Sequence, residues 1–326
     1  MFKTINAKIT GWPLGDRPQL SESGNNFLKK KSANPQRILV FSPHPDTDVH
    51  SMGGLMKRFC DQEHSINIAY MTPGSNAVHD HESKKYLYFM REFLNEEFWE
   101  SEKEDLSVES FEEFNKEIKD SVNFLNSKTE NNRLDNEILL KVKSFIRESE
   151  SKIAVESLGI QAHNVHYLNL PFYGFNKMRK AISEKDHEIV KEIIQKIRPT
   201  FIYAAGDLTD PNGTHRKCLQ ILLNIIEEED KKKKENPNYV KIVPPPEQIF
   251  FYRGDVEEWD LSMVRHIVVM SPKEEEAKKE AILRHQSQKD NPLFPGDDKT
   301  EFWMKTQKKN RTTCLLYTSD AADDMQ

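Results

Sequence analysis

The sequence predicts an α/β protein: a Rossmann-like, mostly parallel sheet with helices on both faces. Two observations carry this. Short apolar runs at Ile38–Phe41, Ser65–Met71, Asn164–Leu170 and Thr200–Ala205 have the length and content of buried strands, and they alternate with longer stretches of helical period. Residues with chemistry gather where these runs end, as in Ser42-Pro43-His44-Pro45-Asp46-Thr47-Asp48 and Gly206-Asp207 through His215. In an open α/β sheet that is the carboxyl edge, where ligands bind.

Composition sets bounds on function. The 326 residues suffice for one large α/β domain or two small ones. A net charge of -6 and a pI near 6.0 leave no basic face for nucleic acid. Lysines cluster at Lys29–Lys31 and Lys231–Lys234, and the second cluster reads as a solvated helix end or loop. Three cysteines, Cys60, Cys218 and Cys314, are too widely spaced for a disulfide framework or a CxxC metal pair. The N-terminus has no apolar signal-peptide core, and no run reaches the roughly 18 apolar residues a membrane span needs. A reducing, cytoplasmic location is the expectation.

Taken in order, residues 1–34 show no sustained period and read as an N-terminal extension or linker, with a turn at Trp12-Pro13-Leu14-Gly15. The first strand ends at Ser42-Pro43. His44 and two carboxylates follow in a loop, and a helix is expected from Gly53 to Gln62. Histidine and aspartate together at a strand end suit a metal such as zinc, with a spare carboxylate as general base. The second strand closes on Thr72–Asn76, which should border the same cleft. His79-Asp80-His81-Glu82 reads as a loop, either solvated or touching the site. Residues 86–130 form an acidic, aromatic helical insertion with Phe89, Phe93, Leu94 and Phe98 at helical spacing, a lid or an interface.

Leu139 to Leu158 reads as a helix capped by Gly159, and Arg147 and Glu150 share one of its faces. The third strand ends in Pro171-Phe172-Tyr173, aromatics that either stack on a sugar or belong to the core. Lys177, Arg179 and Lys180 either meet a phosphate or are merely solvated. After the helix Lys185–Arg198 and the fourth strand, Asp207, Asp210 and His215 arrive just before a helix expected at Arg216–Ile226. Gln248–Arg253 and Val264–Met270 read as further strands. A helix follows Ser271-Pro272, and the polar His285-Gln286-Ser287-Gln288 at its end is not expected to reach the cleft. Residues 314–326 break abruptly in character. CLLYTSDAADD resembles a translated sequencing adapter, so this tail is read as non-native.

The segment PHPDTDVHSMGG resembles the PHPDD-type signature of zinc-dependent de-N-acetylases of the PIG-L or LmbE-like family. The resemblance runs from about Pro35 to Asn310. It points to the subgroup fused to glucosamine-6-phosphate deaminase-like domains in bacteria, with residues 1–34 at the fusion junction and 35–313 as the de-N-acetylase-like domain. By position it implies that His44 binds zinc and Asp46 is the general base. The following ligand position holds Thr47, a departure from the pattern, and Asp48 is the candidate substitute. The second motif implies that His215 is a zinc ligand. The residue that polarises the tetrahedral intermediate maps to Asn212, a second departure, since an amide donates a hydrogen bond but transfers no proton. Arg147 and Tyr173 are implied to contact the sugar.

The resemblance thus implies metal-assisted hydrolysis of an N-acetylglucosamine-type substrate by a protein able to form a homo-oligomer. The two departures keep open a degenerate sugar-binding or scaffold domain.

Overall fold

The computed structural model describes residues 35–95, 108–127, 135, 137–174, 180–207, 213–253, 264–289, 303–304 and 306–308. Five parallel strands form one sheet in the order β3-β2-β1-β4-β5: β1 Arg37–Ser42, β2 Ser65–Tyr70, β3 Val165–Tyr167, β4 Phe201–Ala205 and β5 Ile249–Tyr252. Every pairing is parallel, with Val40 opposite both Ile68 and Tyr203. The helices are α1 Thr47–Asp61, α2 Asp80–Asn95, α3 Val108–Ser127, α4 Glu137–Leu158, α5 Glu184–Ile197, α6 Thr214–Glu235 and α7 Pro272–Leu283. The doubly wound α/β class is therefore the one the sequence predicts.

Alternation along the strands divides the core, because successive side chains point to opposite faces. Ile38 and Val40 of β1 join Ile66, Ile68 and Phe201 against Val49, Met56 and Phe59 of α1, with Val155 of α4 and Ile282 of α7. Leu39 and Phe41 join Ala69, Ile202 and Ala204 on the other face, against Val190 and Ile194 of α5 and Leu222 and Ile225 of α6. A satellite core of Leu87, Ile118, Val122, Leu125 and Leu139 holds α2, α3 and α4 together. Lys143 of α4 adds ion pairs to Asp80, at the start of α2, and to Asp135, each 2.7 Å away.

Several boundaries differ from expectation. Helix α1 starts at Thr47, not Gly53, so Thr47 and Asp48 occupy its first turn and Gly53-Gly54 lie inside it. Those glycines permit close approach of α7 and of Met270, two residues before it. A Cβ on Gly53 would come 2.9 Å from Cγ of Lys278, and one on Gly54 would clash with the Met270 sulfur. His79-Asp80-His81-Glu82 is not an open loop, since α2 begins at Asp80. Helix α6 begins at Thr214, placing His215 in its first turn after Gly213, which adopts the left-handed φ of 72°. The described part of 264–270 forms no strand, only an isolated bridge.

In this strand order, connections leave β1 and β4 in opposite directions. The crevice outside their carboxyl ends is the topological switch point. His44, just after β1, and His215, in the first turn of the helix that follows β4, both lie there.

Candidate active site

The site is built from two adjacent strand ends. After β1, the chain turns sharply: the Asp46 amide donates to the His44 carbonyl at 2.8 Å, and α1 starts with Asp46 at its N-cap. After β4, Asp207 is fully buried and the chain returns at Gly213 to launch α6. The rings of His44 and His215 come to 5.3 Å between centroids. Tyr173, after β3, meets the His44 ring edge-on at 6.0 Å.

Both imidazoles are oriented from behind. The Thr72 hydroxyl lies 2.7 Å from the Pro43 carbonyl and 2.7 Å from Nδ1 of His44. A carbonyl only accepts, so the hydroxyl proton goes to Pro43 and the hydroxyl oxygen accepts from a protonated Nδ1. That tautomer makes Nε2 the lone-pair nitrogen of His44. Nδ1 of His215 sits 2.8 Å from Oδ2 of buried Asp207, and donating to that carboxylate likewise makes Nε2 the acceptor nitrogen. Carboxylate or hydroxyl partners behind an imidazole are the usual means of aiming a metal-binding histidine. Neither Thr72 nor Asp207 was assigned a role from sequence. The available signal was a polar residue ending each strand that neighbours a motif strand.

Asp46 faces Arg147 of α4, with Nη2 2.9 Å from Oδ2. Arg147 is buried, and its Nε and Nη1 have no hydrogen-bond partner among the described residues. Gly74, at φ 63°, lets the loop after β2 lie against it, since a Cβ there would stand 3.1 Å from both Nε of Arg147 and Cδ of Pro45. Burial, the largest influence, would raise the Asp46 carboxyl. The Arg147 guanidinium, with the imidazoles of His50, His285 and His44, overcomes it and holds the group well below the usual carboxylate range.

Asp48 is placed differently from expectation. Lying in the first turn of α1, it is wholly buried beneath the site. Its Oδ2 accepts from the Tyr70 hydroxyl at 3.1 Å, and its Oδ1 lies 3.3 Å from Oγ of Ser42. Burial and the neighbouring Asp46 charge push its carboxyl up to about 7, against the hydrogen bonds from Tyr70 and Ser42. Thr47 is buried and directs its hydroxyl towards Oδ1 of Asp46 at 3.5 Å. Among the described residues, no group of three or more His, Cys, Asp or Glu is arranged to hold a metal ion. The expected set of His44, Asp48 and His215 is therefore not assembled, because Asp48 is bound into the core. What fits a borderline cation such as zinc is the pair His44 and His215 through Nε2, one ligand short of the usual three.

Asn212, at the position implied to polarise the tetrahedral intermediate, lies outside the described residues, as do Asp210, Lys177 and Arg179. Tyr173 is buried at the cleft, and its hydroxyl is 3.4 Å from Nδ2 of Asn76 in the loop after β2. Contrary to expectation, the segment after α7 does reach this region. Glu150, one turn beyond Arg147, accepts from the Ser287 amide and hydroxyl, both at 2.7 Å, and Gln288 donates to the Ala77 carbonyl at 3.2 Å. Arg147 and Glu150 are thus not a surface pair.

The fold and part of the sequence have known counterparts. A family profile described as GlcNAc-PI de-N-acetylase (PIG-L) matches residues 39–143, which include β1 from Leu39 onward, the His44 loop and the Asp46–Thr47–Asp48 turn. The chain is 36% identical over 319 residues to a curated Bacteroides thetaiotaomicron protein described as glucosamine-6-phosphate deaminase-like. That match takes in 97% of this chain but 45% of the relative, so the chain spans about half the length of the relative it matches. N,N'-diacetylchitobiose deacetylase from Pyrococcus horikoshii shares the fold, with a TM-score of 0.51 at 16% identity over 89% of this chain and 81% of that one. No helix among the described residues is long and apolar enough to cross a membrane.

Proposed function

We propose that this chain is a metal-dependent hydrolase that removes the acetyl group from an N-acetylglucosamine-type substrate, with weak activity. The observation that carries the reading is the pair of imidazoles, His44 and His215, aimed into one crevice by Thr72 and Asp207 beside an ionised Asp46. The PIG-L match over the first of these motifs supports it. We assign residues 35–313 to the hydrolase domain and 1–34 to a linker from a fusion partner, in keeping with the length of the Bacteroides relative.

In this reading His44 and His215 would hold a zinc ion. When bound, the metal supplies Lewis-acid polarisation of the amide carbonyl and of water. Asp46 accepts the proton of the attacking water and returns it to the leaving amine, because Asn212 transfers none. Asn212 donates a hydrogen bond to the developing oxyanion. Loss of a full polarising group at that position costs about 10²–10³ in rate. Arg147 sets a further limit. Its ion pair makes Asp46 a weak base, so the guanidinium must turn from the carboxylate towards the substrate for proton transfer to proceed. Tyr173 and Asn76 wall the sugar side of the crevice.

One observation favours a second reading, a sugar-binding or scaffold domain that no longer hydrolyses. Thr47 stands at a ligand position, Asp48 is bound into the core, and Arg147 already balances the charge of Asp46. Zinc stoichiometry of metal-reconstituted protein, by elemental mass spectrometry with His44→Ala as control, separates the two. About one zinc per chain, lost in the control, together with acetate release from an N-acetylglucosamine substrate, is the expected result. No specific zinc would leave the binding reading standing alone.

A further inference from the structure

A second polar site lies behind the crevice. His50, one turn into α1 from Asp46, and His285, just past the end of α7, are both buried. With Ile282, Leu283, Gln288, Lys289 and Trp303 they line a cavity of about 20 Å³. His285 is 2% exposed, and neither of its ring nitrogens has a hydrogen-bond partner among the described residues. Leaving such a group unsatisfied is costly, and native proteins rarely do so. The two rings are 6.3 Å apart between centroids. A direct N–H···N bond would bring them to roughly 5 Å, so the spacing calls for one intervening atom with both donor and acceptor capacity.

We infer that this cavity is a built hydration site, in which one ordered water is bound between His50 and His285 and joins the first turns of α1 to the end of α7. Size and charge select water over other small species. A cavity of this volume admits a water but no sugar or carboxylic acid. Lys278 and Arg147 raise the potential around His50 and oppose a cation, while Asp46 opposes an anion. Two neutral imidazoles offer one donor and one acceptor each, and a water matches one of each. The consequence is mechanical. The turn that carries Asp46, Thr47 and Asp48 is braced from behind by a polar link to the segment that Glu150 holds through Ser287.

The test is a crystal structure of the full chain, combined with thermal denaturation at pH 7.5 of His50→Leu, His285→Phe and the double variant. Density for a single water within hydrogen-bonding distance of both rings is expected. Each single variant should then lower Tm by about 2–4 °C, and the double variant should fall short of the sum, because either change breaks the same bridge. Additive effects, or a higher Tm in His285→Phe, would mean a dry cavity and overturn the inference. Density for a metal ion or an anion would overturn it equally. Should the variants fail to fold, imidazole ¹⁵N chemical shifts of the native protein still decide, since a water-bridged His285 and one without a partner differ in the acceptor nitrogen.

Discussion

Nη2 of Arg147 stands 2.9 Å from Oδ2 of Asp46, both side chains largely withdrawn from solvent, at the point where the first strand of the sheet ends. The pair joins α4 to the crevice and fixes the charge state of the carboxylate proposed as the base. Removing the guanidinium leaves a buried carboxylate without its counter-ion, a change that costs about 3–5 kcal/mol. Arg147→Met is therefore expected to lower stability by that order at pH 7.5, measured by urea denaturation. The linkage has a definite sign. The folded-state value of Asp46 is depressed, so its contribution is present above the unfolded value near 4 and is lost as pH falls through the lower folded value. Asp46→Asn should consequently abolish a stabilising increment that wild type retains down to about pH 4.

Asp207 and Thr72 should matter to metal binding without touching metal. Asp207→Asn keeps the shape of the side chain but removes the charge behind His215, and Thr72→Val removes the acceptor behind His44. Losing such a partner typically weakens metal affinity 10- to 100-fold. Competition with a chromogenic chelator measures this directly. Unchanged zinc affinity in both variants would count against His44 and His215 as the ligand pair.

Thr47→Asp is expected to supply the missing third ligand. The side chain at 47 lies beside Asp46 in the first turn of α1, and a carboxylate there adds charge to a site with two imidazoles. Zinc affinity should rise by at least tenfold over wild type in the same chelator assay. Combined with Asn212→His, the substitution should raise the rate of acetate release by about 10²–10³. Tighter zinc without any gain in rate would place the defect in substrate binding, with Tyr173 and Asn76 the next positions to change.

Much of this was legible in the residues, for physical reasons that can be named. Ile38–Phe41 and Phe201–Ala205 are buried on both faces of a parallel sheet, so their apolar runs were uninterrupted and their strand character was plain. His44, Asp46 and His215 followed strand ends and could be placed at one edge. The start of α1 is hidden in the sequence because Gly53-Gly54 resembles a turn, whereas those glycines serve the approach of α7 and of Met270. Asp48 looked like a ligand because its partners, Tyr70 and Ser42, come from two strands whose register no local pattern reveals. The reach of His285 and Ser287 into the site was illegible for the same reason. The contact with Glu150 spans 137 positions, and a polar helix end looks alike whether it meets water or a buried carboxylate.

His285 also makes acid sensitivity a property of the native fold. Burial, aided by Arg147 and opposed by Asp46, lowers its imidazole to about 4, against an unfolded value near 6.5. Between those values the unfolded chain holds a proton that the folded chain does not, so stability falls as pH drops from about 6.5 towards 4. At about 1.4 kcal/mol per pH unit of difference, the group withdraws roughly 3 kcal/mol across that window and nothing further below it. His285→Phe should erase this part of the decline. The variant is expected to be less stable than wild type at pH 7.5 and to gain on it steadily as pH is lowered to 4.5, in urea titrations at half-unit intervals. Parallel curves for the two proteins across the window would show that His285 takes up its proton alike in the folded and the unfolded chain, and that burial does not hold the proton off.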